Sequence, residues 1–557
     1  MDLPADIIIV NGSLITFDPA TEGASALAIR GEKIAAIGSD AQMRVLAGPD
    51  TRIIDAGQAT VMPGFIDSHV HLFCGSVELG YLDLHGVTGL AALKAAVAPY
   101  SDETPDDAIL FAVQADYAIL HADKTPTRQE LDSVCPDRPF AMFAPDHHTV
   151  WANTAALERA GILHGGETAA GCDIVMGDDG LATGELREPG AYAAVLALTR
   201  HGGRDLAGLI SGKDPVPTPN ATDRARDKAA LARGMHHCAA QGITGLQCMD
   251  GNFYQLELLS EMETEGTLLC RISVPFHLRP EDPLDRLSEA ATMARTYTGD
   301  MVYSGTVKMF VDGVIEGRTA LMLQPYPDTT DTYGDPVFSA DHFNAACTAI
   351  DAMGLQIAVH AIGDAGVRRT LDAYQTARET NGARDSRHRI EHLETMHPDD
   401  IPRLASLGAV ASIQPGHAPF GGIFPAGGVG KYLHPHQIPH AYPWTQLRDS
   451  GAAVIFSTDW PVIGVDVMTN IKAAIAPLDL GPDWVDQTQS LMQTLASYTR
   501  DNAWVEFRDH QKGRIAPGML ADVVLLSHDL TRLAPAQITE ASAQLTICNG
   551  RITYQAQ

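Results

Sequence analysis

Two histidines stand two apart in GFIDSHVHL (64–72): His69 and His71. If that apolar run is a strand, a period of two puts both imidazoles on one face, where they can share a metal ion. Alone the spacing is weak. With 22 His in 557 residues, about one His-x-His is expected by chance, and His434/His436 is a second instance. Two polar residues at a strand end is the plain alternative. Lys308, inside TVKMFVDG, sits between Val307 and Met309, and an ammonium buried there without a partner is costly. An ion pair or a snorkelling side chain would resolve this. So would a neutral amine that adds CO2 to become a carbamate able to bridge two cations, since burial lowers a lysine pKa. His360 ends LQIAVHAIGD, His392 lies in HRIEHLE, and Asp459 follows AAVIFST. Six ligand-type groups on five strand-like segments point jointly to a metal site. Imidazole and carboxylate without thiolate suit zinc, and admit manganese, iron, cobalt or nickel.

The segments carrying these residues belong to a longer series. GFIDSHVHL (64–72), GITGLQCMD (242–250), RISVPFHL (271–278), GTVKMFVDG (305–313), LQIAVHAIGD (355–364), HRIEHLE (388–394), GAVASIQPG (408–416) and AAVIFSTDWPV (452–462) alternate with Ala/Leu-rich helical stretches. Several are near-continuous apolar runs, as parallel strands covered on both faces should be. Gly242, Gly354, Gly408 and Gly451 stand where a left-handed helix cap would precede the next strand. Eight such units predict a (β/α)8 TIM-like barrel of class α/β, with its site at the carboxyl ends of the strands. The gap between the first two strands is far too long for one crossover helix, so residues 75–225 are expected to be an inserted subdomain, with KDPVPTPNATD (213–223) at its exit. Short strands and Asn-Gly turns recur in residues 1–62 and 508–557. The barrel itself is expected over 63–507.

Composition narrows the function classes. Hydrophobic residues make up 45% and charged residues 19%, which is a folded-domain composition. The net charge of −30 repels phosphate and anionic lipid, so neither nucleic acid nor membrane is an expected partner. No run approaches the ~20 apolar residues of a membrane span. MDLPADIIIVNG lacks the basic and apolar regions of a signal peptide. Eight scattered Cys without a Cys-x-x-Cys pair read as reduced thiols, which predicts a cytoplasmic protein. There is no convincing Gly-x-Ser-x-Gly elbow, Walker loop or dinucleotide-binding Gly motif.

MPGFIDSHVHL (62–72), VKMFVDG with the following RTA (307–320), VHAIGD (359–364), RIEHLE (389–394), STDWPV (457–462) and KGRIAPGMLADVVLL (512–526) resemble signatures of the amidohydrolase superfamily. So do DHHTVWANTAAL (146–157) and TGELRE (183–188). The resemblance is to the amidohydrolase-3 group, which includes N-substituted formamide deformylase-like proteins, and it runs nearly the length of the chain. It implies that both chain ends join in one β-sandwich beside the barrel, and it implies a homodimer. It also implies roles. His69, His71 and Asp459 would hold one divalent cation, zinc before others, and His360 and His392 a second, with carboxylated Lys308 bridging; some relatives keep one metal. The deaminase branch carries Glu three residues after the strand-five His and lacks the strand-four Lys. Here Gly363 follows His360 and Lys308 is present, so deamination is disfavoured.

The chemistry expected of such a site is hydrolysis of a non-peptide C–N bond in a small-molecule amide, an N-formyl or N-acyl amine. A metal-activated hydroxide would attack, and Asp459 would act as general base and then general acid. A lactone or cyclic imide hydrolase, an isomerase or lyase, and a non-catalytic ligand-binding barrel are the rival readings. His148 could hydrogen-bond the substrate or the developing oxyanion, or simply satisfy a loop. Arg318 could bind a carboxylate or form a surface ion pair. Trp460 could wall the pocket or be a packed aromatic. Gln414 and His417, after strand seven, could line the mouth. Asp146 reads as a cap, His236 and His237 as a helix face, and Cys74 as a spectator. The Gly-rich stretch 420–440 reads either as a lid or as a surface loop.

Overall fold

A computed structural model describes residues 4–122, 124–168, 172–423 and 428–557. The described chain forms two compact units, residues 1–70 with 235–557 and residues 71–234.

The first unit is built on eight parallel strand positions. They are β1 (Phe65–Val70), β2 (Ile243–Cys248), β3 (Arg271–Ser273, continued by Phe276–His277), β4 (Thr306–Phe310), β5 (Gln356–Ala361), β6 (Arg389–His392), β7 (Val410–Ile413) and β8 (Ala453–Phe456). Each pairs in parallel with the next. β1 pairs with β2 and β2 with β3, β3 continues onto β4, and the ladder runs on to β8. A parallel bridge between Val70 and Trp460 closes the ring. The strands are buried almost throughout, which is why they read as continuous apolar runs rather than alternating ones. Gly242, Gly354, Gly408 and Gly451 all adopt positive φ between a helix and the next strand, as a left-handed cap requires. This is a (β/α)8 barrel.

The chain ends of the same unit pair with one another. Thr60–Pro63 lies antiparallel to Val523–Leu526, which continues to Ala543–Cys548 and Arg551–Gln555. A second sheet holds Lys33–Gly38, Ala26–Arg30, Ala5–Val10 and Ala47–Asp55. Ile7, Leu27, Ile29, Val61, Val523 and Ile547 share one core, so the two sheets form a sandwich drawn from both termini.

The second unit, described by itself, carries a six-stranded sheet from Leu82–Asp83 to Asp173–Met176. It opens with α1 (Leu72–Glu78) and has its own apolar cores on either face of the sheet, one around Phe143, Leu186 and Tyr192, the other around Leu131, Met142 and Trp151. Among the described residues, no helix is long and apolar enough to cross a membrane.

Candidate metal centre

Ring closure brings β1 and β8 together at their carboxyl ends. The Asp459 amide donates to the His69 carbonyl at 2.8 Å. Just before it, Thr458 donates its amide and hydroxyl to Asp67, at 3.0 and 2.6 Å. Asp67 is fully buried, so this pair fixes the chain that presents Asp459. Asp459 and His392 adopt φ of +65 and +77. Non-glycine residues persist there only when their surroundings over-determine them.

His69, His392 and Asp459 each point a ligand atom into a common space, all within 4.8 Å of one another. His69 Nε2 lies 3.3 Å from Asp459 Oδ1. The other nitrogen of each ring is already engaged. His69 Nδ1–H donates to Glu391 Oε2 at 2.8 Å, and His392 Nδ1–H donates to the Gln414 amide oxygen at 2.9 Å. Both rings therefore turn their Nε2 lone pairs to the centre, the arrangement that metal-binding imidazoles adopt. His360 packs its ring 4.5 Å from His392 and donates Nε2–H to the Gly313 carbonyl at 3.1 Å, which leaves Nδ1 as its lone pair. Asp312 clamps the chain just beyond, accepting the amides of Ile362 and Gly363 at 3.1 and 2.9 Å.

Electrostatics keep these rings in their ligand form. Burial lowers His69 to about 4 and His360 to about 3, and takes His392 well below its ordinary value. Lys308 is 0% exposed, and its amine has no hydrogen-bond partner among the described residues. It sits 4.6 Å over the Phe310 ring. Burial lowers it to about 8, against the opposing pull of Glu391 and Asp459. An orphaned amine that burial makes easier to deprotonate, beside three neutral imidazoles and a carboxylate, is a donor set that fits divalent cations.

His417 and Gln414 both lie against this group. His417 Nε2 is 3.7 Å from Asp459 Oδ2, and its Nδ1 is 3.9 Å from Glu394 Oε1. Burial works against its charge, and the two carboxylates override that and raise its pKa.

Other expected residues are placed differently. His71 is not on the strand, which ends at Val70. With φ −108 and ψ 71 it precedes α1 and opens the second unit. The strand thus ends one residue short of His71, so the expected strand over 64–72 is shorter than its apolar pattern. His148 Nδ1 lies 3.1 Å from both Glu188 oxygens, in the second unit. Arg318 is 39% exposed, forms an ion pair with Asp328 and lies over the Tyr432 ring, so its charge is already matched at the surface. Trp460 is buried and faces His237 at 5.7 Å, as a packed aromatic. Of the 420–440 stretch, residues 424–427 lie outside the described residues; the remainder includes short 3-10 turns at Val429–Tyr432 and Ile438–His440. Glu391, Arg389 and Asp67 were not singled out from sequence, although all three stand inside quoted segments.

Residues 52–554 match the model of the Amidohydrolase family. The protein LONG AFTER FAR-RED 3 of Arabidopsis thaliana is 27% identical, over 94% of this chain and 87% of its own. The N-substituted formamide deformylase of Arthrobacter pascens is 24% identical, over 99% and 98%. Among solved structures, an uncharacterized metal-dependent hydrolase from Pyrococcus furiosus superposes with a TM-score of 0.70 at 26% identity, covering 93% of this chain and 98% of that one.

Proposed function

The chain belongs to the amidohydrolase family, and from that premise we propose that it is a metal-dependent hydrolase of a non-peptide C–N bond, acting on N-formyl or N-acyl amines. The observation that carries this is the convergence of His69, His392 and Asp459 beside the orphaned Lys308 amine. Full-length similarity to a formamide deformylase supports the choice of bond.

His69 and Asp459 would hold one cation. His360, His392 and Lys308 would hold a second once the amine adds CO2, forming an N–C bond and losing a proton. Cations bound there supply a Lewis acid for the amide carbonyl and make a water acidic enough to attack at neutral pH. The chain's own contribution is proton transfer and orientation. Asp459 takes the proton of the attacking water and returns it to the leaving nitrogen. Glu394 and Asp459 raise the His417 pKa against burial, and this imidazole would help to hold the Asp459 carboxylate in position. Glu391 and Gln414 fix the rings of His69 and His392.

The test combines elemental analysis of the purified protein with a panel of N-formyl and N-acyl amines, lactones and cyclic imides. One or two divalent ions per chain, and activity on the amides that falls with chelation, are expected. Turnover unchanged after the metal is stripped would sink the mechanism, and preference for lactones would move the bond.

A further inference from the structure

A second set of ligand-type side chains converges inside the inserted unit. Cys74 and Glu78 are four apart on α1 and so share one helix face. His147 reaches them from the loop after Phe140–Phe143. Cys74 Sγ lies 3.4 Å from Glu78 Oε1 and 3.8 Å from His147 Nε2, and His147 Nε2 contacts the same Glu78 oxygen. All three ligand atoms fall within 4.8 Å of one another.

These separations carry information. A tetrahedral zinc with Zn–S of about 2.3 Å and Zn–N or Zn–O of about 2.0–2.1 Å holds its ligand atoms about 3.5 Å apart. Both sulfur distances are close to that edge, and the His147–Glu78 hydrogen bond would have to give way to the cation, with these two ligand atoms moving apart by roughly 1 Å. The direction of the imidazole is enforced from outside the cluster. His147 is held at φ +62, a left-handed conformation that a residue with a side chain keeps only where its surroundings fix it. Its carbonyl is pinned by the Tyr192 hydroxyl at 2.7 Å, and its ring is met edge-on by Phe143 at 4.9 Å. Around the thiol lies an apolar core containing Phe111, Phe143 and Tyr192.

We propose that Cys74, Glu78 and His147 form a binding site for a thiophilic divalent cation of the zinc class, sharing no ligand with the barrel centre, with water as the remaining ligand. Thiolate, imidazole and carboxylate together match such an ion and disfavour magnesium or calcium. Loading would release the thiol proton to solvent.

Cobalt(II) tests this, because the barrel centre contains no sulfur. Metal-free full-length protein is titrated with cobalt alone and its near-ultraviolet sulfur-to-cobalt charge-transfer absorption is followed. One equivalent of that absorption is expected, and Cys74→Ala should abolish it. His147→Gln and Glu78→Gln leave the thiol in place and should weaken cobalt binding at this site about tenfold or more, at least as much as loss of an outer partner does. The visible cobalt absorption from the barrel centre should survive all three changes, so a failure there is read separately. No charge-transfer absorption in the unaltered protein, its persistence in Cys74→Ala, or its unchanged affinity in His147→Gln would each overturn the proposal.

Discussion

Replacing Glu391 with Gln changes one oxygen to an amide nitrogen and removes a charge at the centre of the barrel. Glu391 is 0% exposed. It accepts His69 Nδ1–H at 2.8 Å and pairs with the buried Arg389 guanidinium at 2.8 and 3.0 Å. Burial would raise its pKa, but Arg389 and then His69 reverse this and bring it from 4.5 to about 2. At 1.36 kcal/mol per unit, that preference for the ionised form is worth about 3 kcal/mol of stability. The same figure follows from the other partner: breaking a buried ion pair on one side costs ~3–5 kcal/mol, because Arg389 is left uncompensated. The amide can also donate where the carboxylate only accepted, so the His69 tautomer is no longer fixed, and losses of about 10–100-fold in metal affinity are typical of such a change. Two measurements decide the matter. Urea unfolding of the metal-free chain at pH 7 should place Glu391→Gln about 3 kcal/mol below the parent. Chelator competition should show the weaker metal binding. Because the folded pKa is depressed, the stabilisation is complete above pH 4.5 and is lost as pH falls towards 2, so the gap between the two proteins should narrow by about 1 kcal/mol by pH 4. A variant with the parent's urea midpoint and a metal affinity within threefold would refute the assignment of Glu391 as the residue that orients His69.

Lys308→Met should leave the metal-free chain as stable as the parent or more so, since the amine it removes is buried without a hydrogen bond, while metal content per chain should fall below the parent's; an unchanged metal content would end the bridging role. Supplying 13C-bicarbonate to the loaded parent should add a carbamate carbon resonance that Lys308→Met lacks. Thr458→Val deletes the 2.6 Å hydroxyl bond to buried Asp67 and should cost about 1–3 kcal/mol in urea unfolding, with loss of turnover beyond the loss of folded protein because Asp459 is next in the chain. His69 and His360 are lowered by burial from 6.5 to about 4 and about 3, so below pH 6.5 the unfolded chain takes up protons that the folded one refuses. The metal-free protein should therefore lose stability steadily as pH drops from 6.5 towards 4, and a urea midpoint flat over that range would contradict the buried neutral state.

What could be read from the sequence follows from which interactions are local. The barrel strands were legible because a parallel strand covered on both faces must be apolar along its length, and because each preceding glycine cap is a property of a few adjacent residues. His69, His360, His392 and Asp459 were legible as polar groups at the ends of such runs. Glu391 was not, although it lies inside RIEHLE, because its partner His69 is 322 residues away and no periodicity registers a hydrogen bond across a closed sheet. The strand's end at Val70 was not legible for the opposite reason. The local pattern continued past the point where the chain leaves the sheet, and only the helix beginning at Leu72 reveals that the alternation has stopped. Cys74 read as a spectator because a single thiol has no local signature; its neighbour His147 is 73 residues on.

The strain at the ligands ties these observations together. His392 and Asp459 both occupy left-handed backbone conformations, each costing on the order of 1–3 kcal/mol. Here the backbone bonds that hold them are made by the chain itself. Asp459 is tied to the His69 carbonyl, and Thr458 before it is tied to Asp67; Leu393, just after His392, donates to the Ala361 carbonyl at 3.2 Å. Each of these bonds runs from one barrel strand, or the residues just past it, to a neighbouring strand, so closure of the ring helps to offset the strain.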